Sequence, residues 1–106
     1  MERREIIEAV QRMQDHMDAN ITTPVTLSDL AKAAGYSQWH AARIFKEFTG
    51  KTPFEYLRSL RLSRAATELR DNKTKVIDVA FDFVFDSHEG FTRAFSREFG
   101  MSPSRF

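Results

Sequence analysis

Two arginines, Arg43 and Arg93, each stand six residues after a serine, Ser37 and Ser87, in stretches whose apolar residues recur at helical spacing. A guanidinium is a planar fork of donors that can bond guanine O6 and N7 together, so an arginine on the outer face of a Ser-capped helix is suited to reading a base edge. On the first stretch Ala41, Ile44, Phe45 and Phe48 share the expected inner face, leaving Gln38, Trp39, Ala42, Arg43 and Lys46 outside. Gln38 suits a base edge or a phosphate, Trp39 an apolar contact to a thymine methyl or sugar, and Lys46 a phosphate. Trp39 is equally consistent with burial against a neighbouring element. On the second stretch Phe91, Ala94, Phe95 and Phe99 face inward, with His88, Glu89, Gly90, Thr92, Arg93 and Arg97 outside or at the helix start. Glu89 can accept from cytosine N4 or simply favour the helix N-terminus. Gly90 costs a helix about 1 kcal/mol relative to Ala, which either close approach to DNA or sequence drift accounts for. Arg58, Arg61 and Arg64 suit phosphates or a solvated helix face.

Enzyme chemistry has little to stand on. The sequence has no nucleophile elbow, phosphate loop or close carboxylate pair, and His16, His40 and His88 lack the spacing or cysteine companions of a metal site. The chain therefore reads as a non-enzyme that needs no cofactor. The absence of Cys excludes disulfides and thiolate chemistry and makes the cytoplasm the default address, and no stretch approaches the roughly 18 apolar residues of a membrane span.

The elements that must position these side chains are helices. Ile6, Ile7, Val10, Met13 and Met17 recur at three- and four-residue spacing between Glu2 and Asn20, which predicts one amphipathic helix. Thr26-Leu27-Ser28-Asp29 is a capping-box-like start for a short helix to about Ala34, Gly35 suits a left-handed closing residue, and Ser37 opens the next helix. Thr52-Pro53-Phe54-Glu55 predicts a long helix to Arg70 or Asp71. A polar break at Asp71–Thr74 precedes a short helix from Val76 to Phe83, a turn, and the Ser87-capped helix to Phe99. Ser102-Pro103 opens another helix as the sequence ends, as either a piece of a longer protein or a short terminal turn would show.

The order cap, short helix, turn, Ser-capped helix, Gly, Ser/Thr-Pro occurs twice. Asp29, Leu30 and Ala31 answer Asp78, Val79 and Ala80 at an offset of 49. After the turn the offset is 50, pairing Ser37 with Ser87, Arg43 with Arg93, Phe45 with Phe95, Gly50 with Gly100, Pro53 with Pro103 and Tyr56 with Phe106. The fold class expected is all-α, about seven helices forming two helix-turn-helix subdomains, 1–52 and 72–106, joined by a connecting helix over 53–71. A helix of that length spans about 28 Å, near the ~34 Å between successive major grooves on one side of B-form DNA, with DNA bending to close the gap.

With 42% hydrophobic residues, ten Phe and only four Gly, the chain has a core to build rather than a disordered composition. Its net charge of +1 is a weak advertisement for nucleic acid, but the charge is uneven: −2 over residues 1–34, +4 over 35–70 and −1 over 71–106.

LAKAAGYSQWHAARIFKEFTGKTPFEYLRSLRLSRAATEL followed by DVAFDFVFDSHEGFTRAFSREFGMSP resembles the AraC/XylS family of transcriptional regulators, with FTRAFSREFG and the closing MSP as the most specific part. The resemblance covers residues 5 to 106. It implies two helix-turn-helix units whose recognition helices enter adjacent major-groove segments of double-stranded promoter DNA, with RNA polymerase as a frequent partner. Carried over by position, the family's base-reading sites fall on Trp39, Ala42 and Arg43, and on His88, Glu89, Gly90, Thr92 and Arg93. Where the family usually has Gly before the aromatic residue of the second turn, this chain has Val84, so that turn is expected to be strained or rebuilt. A domain at the N-terminus is similar to the small activators of the MarA/SoxS/Rob type, or to members with a C-terminal effector-binding domain beyond this sequence. The first recognition helix is expected to give the firmer readout. The runner-up from another class is a helical protein-interaction module in which Trp39 and the exposed aromatics dock a partner.

Overall fold

The computed structural model describes residues 2–106. Six α-helices follow one another, α1 (Arg3–Ala19), α2 (Leu27–Ala34), α3 (Gln38–Thr49), α4 (Pro53–Asn72), α5 (Val76–Asp82) and α6 (His88–Phe99), and a 3₁₀ turn (Pro103–Arg105) ends the chain. The all-α expectation with about seven helical elements holds, and no described residue lies in a strand. No helix among the described residues is long and apolar enough to cross a membrane. The chain divides into two compact units, residues 1–57 and 58–106. The dividing point falls inside α4, the helix that the sequence sets apart as a connector.

In the first unit Ala9, Val10, Met13 and Met17 of α1 meet Leu30, Ala31 and Ala34 of α2 and Ala41, Ile44 and Phe45 of α3 in a closed core. Ile6 is half-buried and Ile7 exposed, so the apolar stripe of α1 takes hold only from Ala9 onward. Arg12 ties α1 to the end of α2, donating from Nε to the Ala33 carbonyl and from Nη2 to the Ala34 carbonyl, both at 2.9 Å. These are among the last carbonyls of α2, which have no partner within the helix. One expected core residue is misplaced: Phe48 is 43% exposed. Seven residues, two turns, separate it from Ala41, so its direction is inward, but it sits in the last turn of α3 beyond the cover of the core. Its counterpart at an offset of 50 is Glu98, which already marks this as a surface position.

The second unit is held by aromatic rings. Phe91 and Phe95 are fully buried, and Phe85, Phe91, Phe95, Phe99 and Phe106 form a continuous run with centroid distances of 4.6 to 6.0 Å. Leu62, Ala65, Ala66, Val79 and Ala80 are the other well-buried apolar residues of this unit's α4 and α5 segments. The repeat is reproduced in three dimensions. Phe45 meets Tyr56 edge-on at 5.3 Å in the first unit, and Phe95 meets Phe106 edge-on at 5.4 Å in the second, the geometry in which a positive ring edge faces a negative ring face.

Candidate nucleic-acid interface

Each unit presents its Ser-capped helix after a tight turn, and the two turns use the same backbone device. In the first, Gly35 adopts φ +79° and the Tyr36 N–H reaches back to the Ala31 carbonyl at 3.1 Å. In the second, Val84 adopts φ +67° and the Phe85 N–H reaches the Ala80 carbonyl at 3.0 Å. Both are the hydrogen bonds of a helix closed by a left-handed residue. Of the two expected outcomes for Val84 the structure takes the strained one: a β-branched side chain occupies a conformation that favours glycine. Asp86 is the extra residue that carries the offset from 49 to 50.

The helix starts are less alike. Thr26 and Asp29 close a full capping box at α2, Asp29 N–H to Thr26 Oγ1 at 3.1 Å and Thr26 N–H to Asp29 Oδ2 at 3.0 Å. The corresponding start of α5 is Lys75, which makes no side-chain cap because an ammonium has no acceptor to offer. The second cap read from the repeat is therefore absent. Thr52 and Glu55 form a second reciprocal box at α4, with both bonds 3.2 Å. Bonding by Thr26, backbone first, holds the Asp29 carboxyl below its ordinary value. The Thr52 side chain, then its backbone N–H, does the same for Glu55.

On α3, Ser37 Oγ accepts the His40 N–H at 3.1 Å, and Gln38, Trp39, Arg43 and Lys46 are exposed while Ala42 is half-buried. Trp39, open to either reading in the sequence, is 69% exposed. The Arg43 guanidinium lies 5.2 Å from the Trp39 ring centroid, and its Nε donates to Glu47 Oε1 at 3.0 Å. Trp39, Arg43 and Glu47 thus form an i, i+4, i+8 ridge. The cation rests on the negative ring face while its Nε–H is taken, and among the described residues neither terminal nitrogen is hydrogen-bonded. The ridge borders a groove of about 620 Å³ that also involves Gln38, Ala42, Lys46 and the helix starts at Leu27 and Pro53. Glu47 was missed from the sequence, although its place four residues after Arg43 is the signal for such a pair.

On α6 the surroundings of the matching arginine differ. His88, Glu89, Arg93 and Arg97 are exposed, and Gly90 and Thr92 are half-buried. Ser87 Oγ accepts the Gly90 N–H at 3.0 Å, and a Cβ at Gly90 would sit 3.0 Å from that same oxygen. The tight cap thus gives Gly90 a local reason that neither reading from the sequence supplied. Arg93 and Arg97 do not form a ridge with an acid. They line a separate cleft of about 350 Å³ with Arg58, Phe85, Asp86 and Ser87 among its walls. Arg58, Arg61 and Arg64 do not act as one stripe: Arg58 opens on this cleft, Arg64 is exposed, and burial pushes the Arg61 guanidinium below its ordinary value.

Two solvent-facing helices, each delivered by a short helix and a tight turn, define a tandem helix-turn-helix protein. The helix-turn-helix domain family matches residues 30–106, and the chain belongs to its AraC-type branch. It is 38% identical over 90 residues to the right origin-binding protein of Escherichia coli K12, covering 85% of this chain and 31% of that protein. It is 36% identical over 99 residues to the regulatory protein SoxS of Salmonella typhimurium, covering 93% of this chain and 92% of that one. The chain therefore spans about a third of the first relative's length and nearly all of the second's. Among solved structures it is similar to an AraC-type transcriptional regulator from Chromobacterium violaceum, with a TM-score of 0.87, 27% identity and coverage of 92% and 87% of the two chains. It shares its fold with the DNA-binding domain of AdpA, solved in complex with a target DNA, at a TM-score of 0.84, 23% identity and coverage of 92% and 88%.

Proposed function

We propose that this chain is a sequence-specific DNA-binding transcriptional regulator that inserts α3 and α6 into successive major-groove segments of promoter DNA. The observation that carries this reading is the ridge on α3. An arginine held over an exposed Trp39 ring and anchored through Nε keeps its terminal nitrogens free to donate together to guanine O6 and N7. Gln38, Trp39 and Ala42 serve the same base edges and Lys46 a phosphate. From the second unit His88, Glu89, Gly90 and Thr92 face base edges, and Arg93 and Arg97 bring positive charge to the duplex. RNA polymerase is the protein partner we propose on family membership, and the bacterial cytoplasm the location, on the nucleoid when bound.

Selecting bound sites from a random DNA pool supplies the target, and Arg43→Ala then tests the reading. The variant is expected to weaken binding to the selected site by about 1–3 kcal/mol while keeping its helical content. A chain that shows no preference for any selected sequence over random DNA would overturn the proposal. A protein-docking module would also lack the steep fall of log affinity with log salt that phosphate neutralisation gives.

A further inference from the structure

We propose that the cleft beside the start of α6 is a phosphate-binding site in which Arg58, Arg93 and Arg97 converge on one tetrahedral oxyanion. The three arginines come from two elements, α4 and α6, and line one cavity of about 350 Å³. That is the lower end of the roughly 300–1,000 Å³ range of small-molecule sites. Among the described residues none of the three side chains makes an ion pair or hydrogen bond. Partners are within reach in sequence. Glu89 lies one turn before Arg93 and Asp86 shares the cleft wall, yet neither is engaged by these arginines.

The contrast with the first unit sharpens the case. The position four residues after the helix arginine is Glu47 in α3 and Arg97 in α6, and the position four before it is Trp39 in α3 and Glu89 in α6. Arg43 is thereby stacked and neutralised, whereas Arg93 has a like charge at i+4, which destabilises a helix unless an anion lies between. A phosphate answers that repulsion, since guanidinium forks match its oxygens in pairs. Ser87 adds to the site: its Oγ accepts from Gly90, which leaves its hydroxyl hydrogen to donate. Asp86 is the single acid of the cleft wall against three cations, so the cleft remains net positive.

The oxyanion has two sources, a backbone phosphodiester of DNA or the phosphate of a small phosphorylated molecule. The first rests on the function proposed above; the second does not. Inorganic phosphate and pyrophosphate are titrated without DNA into the whole chain at constant ionic strength, chloride serving as control, while the arginine Nε–H resonances are followed. Saturable shifts at Arg58, Arg93 and Arg97, with Arg43 still, are expected. Arg58→Gln and Arg97→Gln should each weaken phosphate binding about tenfold, the loss of one charge-assisted hydrogen bond. Matching amide spectra verify folding, and because the two variants lie on different helices, either alone suffices. Shifts spread over all exposed arginines, or none beyond the chloride control, overturn the site. If Arg58→Gln weakens selected and random DNA by the same factor, the source is the DNA backbone. If it weakens phosphate binding about tenfold and leaves DNA affinity unchanged, the source is a small phosphorylated ligand. Loss of sequence-specific DNA binding altogether would leave the phosphate titration standing.

Discussion

Glu47 is the residue whose substitution best tests the proposed reading of DNA by α3, because it bears negative charge on a face proposed to meet phosphates. Its pair with Arg43 spans 3.0 Å with side chains 57% and 62% exposed, so its direct contribution to stability is only about 0.3–0.5 kcal/mol. Removing it should leave folding nearly untouched. Its effect on recognition is larger, because an arginine freed from its anchor must be ordered when it binds, at about 0.5–1.5 kcal/mol for a rotamer-rich side chain. That corresponds to a roughly 2- to 13-fold loss on the selected site, since about 1.4 kcal/mol is tenfold. Loss of the carboxylate also removes repulsion from phosphates and raises affinity for every DNA. Glu47→Ala is therefore expected to lower the ratio of selected-site to random-DNA affinity, measured by fluorescence anisotropy at a fixed salt concentration. Glu47→Gln, which keeps an acceptor for Nε–H but no charge, should raise random-DNA binding while holding the ratio nearer its original value. If both variants shift selected and random affinity by one common factor, Glu47 acts only as a charge and the anchoring argument is wrong.

Val84 supplies a prediction about stability. A β-branched residue at φ +67° carries strain of about 1–3 kcal/mol, and glycine there gives back about 0.5–1 kcal/mol as unfolded-chain entropy. Val84→Gly should therefore be as stable as the parent or more so by about 1 kcal/mol in urea unfolding; a loss as large as that of Val84→Ala would show that the half-buried side chain matters more than the backbone. The capping boxes predict a pH dependence. Asp29 and Glu55 have folded-state values depressed below their ordinary ones, so their contribution is present above the unfolded value and is lost as pH falls through the folded one. Thermal stability should decline below about pH 4, and the double substitution Asp29→Asn, Glu55→Gln should flatten that decline. An unchanged slope in the double variant would assign acid sensitivity to other carboxylates.

The helices were legible because local signals agreed with global ones. Ser37, Thr26 and Thr52 are caps whose bonds form as their side-chain chemistry dictates, and the helices they open begin where the sequence places them. The repeat even anticipates a tertiary contact, since Phe45 with Tyr56 and Phe95 with Phe106 are edge-on pairs in their respective units. Legibility failed where position along an element mattered more than angle around it. Phe48 has the direction of a core residue and the exposure of a helix end. Lys75 holds the place of a cap without an acceptor to make one.

The candidate site shows a different limit. Matching Arg43 to Arg93 correctly locates both on outer helix faces, but an arginine's role is set by what stands four residues either side of it. Trp39 and Glu47 hold Arg43 as a single, oriented fork. Glu89 and Arg97 leave Arg93 to share a cleft with Arg58, a residue 35 positions away in the chain. The first arrangement favours a directional bidentate contact, which discriminates between bases, and the second a concentration of charge, which does not. The repeat thus keeps the scaffold of both units while the i±4 neighbours of its two arginines differ, and under the proposed function changes of sequence preference are expected to arise first from substitutions around Arg43.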